Sequence, residues 1–300
     1  MILVASIIPV STLRVGGHFD FVGAVGFAIG LIGILLAISE GSEWGWASPT
    51  TLGLLVGGVA VLVAWAFIEL RTTDALVDLR VAARRPVLLT NLASISVGFA
   101  FFITTAALPV LLEAPTTTGV GLGQTLIVSS LCLMPLGLVM FVTSPVAARL
   151  SNAQGPRTSL ILGGLIITFA FAIAIWLHSY LWHIILVSTI VGLGVGFAYA
   201  AMPTLIMRVV PPTETAAANG LKSVMRTHGS TAAATLVRLI ISSHLVVSGS
   251  DAIPTTEAFR IIFAMGSGVA IVGVIVAVFI PRRGCEYGTT ANMRVIVPER

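Results

Sequence analysis

Polar groups that could do chemistry are concentrated in one stretch, Asn219-Gly220-Leu221-Lys222-Ser223-Val224-Met225-Arg226-Thr227-His228. It brings an amide, two cations and an imidazole close together within a long run of small and apolar residues. At 3.6 residues per turn, Asn219, Lys222 and Arg226 fall on one helix face. Such a face can recognise a ligand by charge and hydrogen bonding, and in an apolar medium each of its groups needs a partner or a watery cavity. Lys222 can snorkel to a nearby surface. Arg226 lies about two turns into the span, so snorkelling and facing a watery cavity or a cytoplasmic-end polar network are equally open to it. His228 reads as a packed helix contact or, less simply, a proton relay. Elsewhere, Asn91, Thr104 and Thr105 either bond between helices or line a substrate cavity.

Covalent chemistry finds no such constellation. An intramembrane aspartyl protease needs two embedded Asp, and only Asp20 comes near an apolar run. No His-Glu-x-x-His is present. Ser267 lies between Gly266 and Gly268 but has no His in its own segment. Gly192-Leu193-Gly194-Val195-Gly196 resembles a phosphate-cradling loop only superficially. It sits inside an apolar helix without the strand-to-helix context, so close helix packing explains it better. Neither enzyme chemistry nor metal binding is expected. The two cysteines, Cys132 in an apolar run and Cys285 in the polar tail, do not make a disulfide or a metal spacing.

The elements that carry these groups follow from composition. Of 300 residues, 57% are hydrophobic and 9% charged. Soluble domains carry about 25% charged residues, so this chain cannot cover a water-facing surface of its own size. Its solvent is the lipid bilayer. Eight apolar stretches approach or exceed the roughly 20 residues a spanning helix needs: 21–40, 51–70, 87–113, 123–147, 158–177, 183–207, 217–245 and 259–280. The predicted fold is all-α, with about eight transmembrane helices joined by short loops into an antiparallel bundle. The Met1–Val10 stretch is too short to cross and has no signal-peptide features; it reads as the end of a preceding helix.

A net charge of +4 invites a nucleic-acid partner, but the basic residues sit at the ends of apolar runs rather than on one face. They obey the positive-inside rule instead. One set of alternate loops and ends holds Arg14, Arg71, Arg80, Arg84, Arg85, Arg149, Arg157, Arg208, Arg282, Arg283, Arg294 and Arg300. The other set has no Lys or Arg but holds Glu40, Glu43, Asp251 and Glu257. The C-terminus is therefore expected in the cytoplasm, with Trp44 and Trp46 at the outer interface. No acid at depth stands out as a proton carrier.

Several segments together resemble the C-terminal part of a major facilitator superfamily transporter of the fourteen-helix drug:proton antiporter type. His18-Phe19-Asp20-Phe21-Val22-Gly23-Ala24 is similar to the opening of that family's linker helix, and Ser39 to Trp46 to the loop between its two extra helices. Leu76 to Arg80 with Arg84-Arg85-Pro86 resembles the lead into its second bundle. Pro145-Val146-Ala147-Ala148-Arg149-Leu150 followed by Gly155-Pro156-Arg157 resembles its cytoplasmic loop motif, with Asn152 where the motif often has Asp. Val210-Pro211-Pro212 and Ala217 to Leu221 fit the approach to its penultimate helix.

The resemblance implies a domain plan. Residues 1–10 would be the remnant of a preceding helix and 11–86 two linker helices with a cytoplasmic loop. Residues 87–280 would form the six-helix C-terminal bundle, and 281–300 a cytoplasmic tail. It further implies a secondary active exporter of drug-like, lipophilic molecules in the plasma membrane, energised by the proton gradient and needing no cofactor. Spans three, four, six and seven would face the substrate cavity, which makes Asn91, Thr104, Asn219 and Arg226 candidate cavity residues. Pro145, Arg149, Gly155 and Arg157 would be the loop motif. Rocking of two bundles about a central site would require an N-terminal bundle or a partner half. The alternative is a non-transporting scaffold or half-transporter subunit.

Overall fold

The structure, a computed structural model, describes residues 20–71, 83–116, 121–211, 214–248 and 251–281. Among them lie eight helices: α1 (Phe21–Trp44), α2 (Pro49–Glu69), α3 (Arg85–Glu113), α4 (Leu126–Gln154), α5 (Pro156–Ala174), α6 (Leu181–Met207), α7 (Thr215–Ser243) and α8 (Thr256–Val278). A short antiparallel hairpin, β1 (Leu245–Ser248) with β2 (Asp251–Pro254), occupies the expected loop between the last two helices and pairs Leu245 with Pro254. The segments 1–10 and 282–300, and Arg14, Arg80 and Cys285, lie outside the described residues.

Local chemistry sets the helix ends. Asp20 caps α1 by accepting from the Gly23 amide at 2.7 Å, and Ser48, Thr125 and Thr255 cap α2, α4 and α8 in the same way. The loop expected from Arg149 to Arg157 is almost absent, because α4 stays helical through Gln154 and α5 starts at Pro156. Nothing between Pro145 and Gly155 breaks a helix. Gly155 alone makes the turn, at φ +93°, a conformation that residues with a Cβ rarely adopt, and Pro156 is well suited to the first helical turn.

Helix α3 is the hub, packing on α7, α8 and α6, while α6 also holds α4 and α5. The core between them is apolar, with Phe171, Phe259, Phe263, Ile103 and Leu108 inside. The outside is equally apolar: Phe141 is 81% exposed and Ile127 73%. A surface of that kind is stable against lipid tails, not water. The α1–α2 hairpin rests on the bundle through α1, where Thr235 of α7 donates to the Ile38 carbonyl at 3.0 Å.

Seven of the eight helices are long and apolar enough to cross a membrane; α7 is the exception. Its polar residues lower its apolarity, yet it packs closely along α3. Gly98 of α3 meets the Arg226 backbone, and Gly229 of α7 meets the Ile95 backbone. Ser230 bridges the crossing, donating to the Gly98 carbonyl at 3.0 Å. Such glycine-to-backbone contact is how helices associate where lipid removes the hydrophobic drive.

Glu69, the last residue of α2, is only 2% exposed and shares the space beside Gly23 with the Asp20 carboxylate. Helix α1 covers it at this end of α2.

Candidate functional site

Helix α7 carries the polar face, and α3 and α6 fix its setting. Lys222 Nζ donates to Asn219 Oδ1 at 3.2 Å, and Asn219 Nδ2 in turn donates to the Thr215 carbonyl at 3.0 Å. One turn on, the Arg226 guanidinium donates to Tyr199 Oη of α6 at 3.3 Å and lies 5.5 Å from the centre of that ring. Its second amino group approaches Ser223 Oγ at 3.5 Å. Phe101 of α3 backs the tyrosine, with ring centres 6.3 Å apart.

Electrostatically the face is cationic. Lys222 and Arg226 stand four residues apart and repel one another, and no carboxylate pairs with Arg226 among the described residues. The tyrosine ring, which attracts a cation to its face, and neutral oxygens are what hold Arg226. All four side chains, Asn219, Lys222, Arg226 and Tyr199, are half-buried, so the face is open to a ligand without being exposed. It can donate hydrogen bonds to an acceptor-rich group and offer aromatic surface next to them.

The predicted residues divide. Asn219 and Arg226 belong to this face. Asn91 of α3 is 4% exposed, and its Oδ1 is buried without a hydrogen-bond partner among the described residues. Thr104 is fully buried, and its hydroxyl donates to the Ala100 carbonyl of its own helix at 3.0 Å. The structure therefore makes Thr104 part of the core instead of a cavity wall. A hydroxyl can satisfy itself one turn back, so it needs no cavity. Thr105 does the same while remaining exposed.

In the loop motif, Pro145 and Arg149 lie on the exposed side of α4, and Gly155 forms the turn. Arg157 straps the start of α5 to the end of α8 by donating to the Val278 carbonyl. Arg84 makes a similar strap to the Val209 carbonyl at 2.9 Å.

Sequence reasoning missed Tyr199 and Phe101. A signal existed for Tyr199: of the three tyrosines it is the one within an apolar span, and a buried tyrosine hydroxyl needs a partner. Nothing in the sequence ties it to Arg226, 27 residues away. Phe101 resembles any other core phenylalanine.

Known proteins place this architecture. Residues 1–234 and 137–290 each match the sequence profile of the Major Facilitator Superfamily. The puromycin resistance protein pur8 of Streptomyces alboniger is 31% identical over 83% of the chain, covering 51% of its own length. The tetracycline resistance determinant of Streptomyces rimosus is 26% identical over 67% of the chain and 57% of its own. Lincomycin resistance protein LmrB of Bacillus subtilis is 26% identical over 88% of the chain and 57% of its own. The chain spans about half the length of these curated relatives. A profile matching most of the residues, on an apolar helical bundle, makes the assignment: this chain is a multi-pass membrane protein of the Major Facilitator Superfamily.

Proposed function

We propose that the chain forms one bundle and the linker helices of a secondary active exporter that moves drug-like, lipophilic molecules at the expense of the proton gradient. The observation that carries this reading is the half-buried cationic and aromatic face formed by Asn219, Lys222, Arg226 and Tyr199. A polar helix inside an apolar bundle is costly, and intramembrane polar groups mark substrate pathways. Arg226 would orient an acceptor group of the cargo while Tyr199 and Phe101 pack its apolar body. The named resistances of the relatives make puromycin, tetracycline and lincomycin the first cargoes to try.

In this reading the arginine-rich end faces the cytoplasm of a plasma-membrane protein. Alternating access by rocking requires two bundles, so a second one works with this one, in the same polypeptide or as a partner half. That requirement favours a second reading, a half-transporter subunit that moves nothing alone. Everted vesicles from cells expressing the protein from its native locus separate the two. Uptake that a protonophore abolishes and Arg226→Ala removes supports the exporter. Uptake unaffected by Arg226→Ala rejects this site, and no uptake until a partner bundle is co-expressed supports the subunit.

A further inference from the structure

At the arginine-rich end, the start of α5, the end of α6, the start of α3 and the residues after α8 enclose a cavity of about 120 Å³. Arg157, Arg208, Gln154 and Thr158 supply its polar lining, between Pro86 and Pro281. Among the described residues, no Asp or Glu lines it. Arg157 uses one amino group on the Val278 carbonyl, and its Nε is buried without a partner. Arg208 is exposed, and its side chain makes no hydrogen bond among the described residues. The Thr158 hydroxyl is already engaged with the Gln154 carbonyl at 3.2 Å.

Size and charge define what fits. A cavity of about 120 Å³ has room for a small polar group. Drug-sized ligands occupy pockets of about 300–1,000 Å³ and do not fit. An anion satisfies both guanidiniums, and a tetrahedral oxyanion matches the several donors an arginine pair presents. A buried donor left unmade is costly unless a ligand supplies its acceptor.

We propose that this cavity binds a phosphate group, contributed either by the headgroup of an anionic phospholipid or by a soluble phosphate. Basic pockets between helices at a membrane surface take anionic headgroups. Bound there, the group would join α5, α6 and α8 at one end of the bundle, on residues other than those of the Arg226 face. The inference stands independently of what the protein transports.

The full chain is tested in nanodiscs of phosphatidylcholine alone or mixed with phosphatidylglycerol. Arg208→Gln removes one ligand without breaking a hydrogen bond. Arg149→Gln removes an exposed arginine at the same end that does not line the cavity. If the lipid is the source, native mass spectrometry shows phosphatidylglycerol retention falling about fivefold in Arg208→Gln, as expected for one arginine near an anionic membrane, and unchanged in Arg149→Gln. If soluble phosphate is the source, inorganic phosphate raises the unfolding midpoint in phosphatidylcholine discs above that in chloride of equal ionic strength. Arg208→Gln then abolishes that rise while Arg149→Gln keeps it. Equal behaviour of the two variants in both assays overturns the proposal.

Discussion

The Arg226 guanidinium lies 5.5 Å from the centre of the Tyr199 ring and donates to its hydroxyl at 3.3 Å, joining α7 to α6 across the face of α3. The two contacts are separable by mutation. Tyr199→Phe keeps the ring and removes the acceptor, so it should lower stability by about 1 kcal/mol. Tyr199→Ala removes both and should cost about 1–2 kcal/mol more, because the ring attraction and its packing go as well. Thermal unfolding of the two variants in detergent checks the order. Equal losses would mean that the ring contributes nothing to holding Arg226.

The α3–α7 crossing should be intolerant of a single methyl group. A Cβ on Gly98 or Gly229 would meet the backbone of the facing helix, at Arg226 and Ile95, and a backbone cannot swing aside. Gly98→Ala and Gly229→Ala are each expected to cost about 1–3 kcal/mol through overpacking. Gly57→Ala is the control, because nothing lies within 4 Å of the added atom. It should be neutral or stabilising by up to about 1 kcal/mol, the gain of Ala over Gly in a helix. Unfolding midpoints of the three variants decide the matter.

Gly155 should be irreplaceable for a different reason. The space beside it is open, but its φ of +93° lies in the left-handed half of the map. Gly155→Ala is expected to cost about 1–3 kcal/mol from backbone strain alone. Faster proteolysis between α4 and α5 is the readout. A rate like that of wild type would show that the one-residue turn tolerates a side chain.

Acid should weaken the opposite end of the bundle. His178, in the turn between α5 and α6, is 4% exposed and packs on Phe263 with ring centres 6.4 Å apart. Burial pushes its pKa below 6.5, against a hydrogen bond from Nδ1 to the Ala174 carbonyl, and the neighbouring Arg260 cation pushes it the same way as burial. The folded state therefore favours the neutral ring. Its contribution is complete above pH 6.5 and declines as the pH falls through and below that value, because the unfolded chain takes up the proton first. Unfolding midpoints across that range should fall with acid in wild type and fall less in His178→Gln. Parallel curves for the two proteins would exclude His178 as the source.

Much of the architecture was legible without coordinates. The charge poverty of the chain required lipid as solvent, and apolar runs of spanning length located the helices to within a few residues, since a bilayer of given thickness demands that length. The face of Asn219, Lys222 and Arg226 also followed from helical periodicity, which depends on local spacing alone. The end of α4 was misjudged because helix propensity between Pro145 and Gly155 continues unbroken, whatever polar residues it carries.

Tertiary structure decided the rest. That Tyr199 accepts from Arg226, that α1 covers Glu69, and that Thr104 is core while Arg226 stays half-open are facts about helices far apart in the chain. Periodicity says which residues share a face but not what that face meets. In an all-apolar bundle every helix face reads alike, so the partner of each is chosen by backbone fit at glycines such as Gly98 and Gly229, a property of paired surfaces that one segment does not contain.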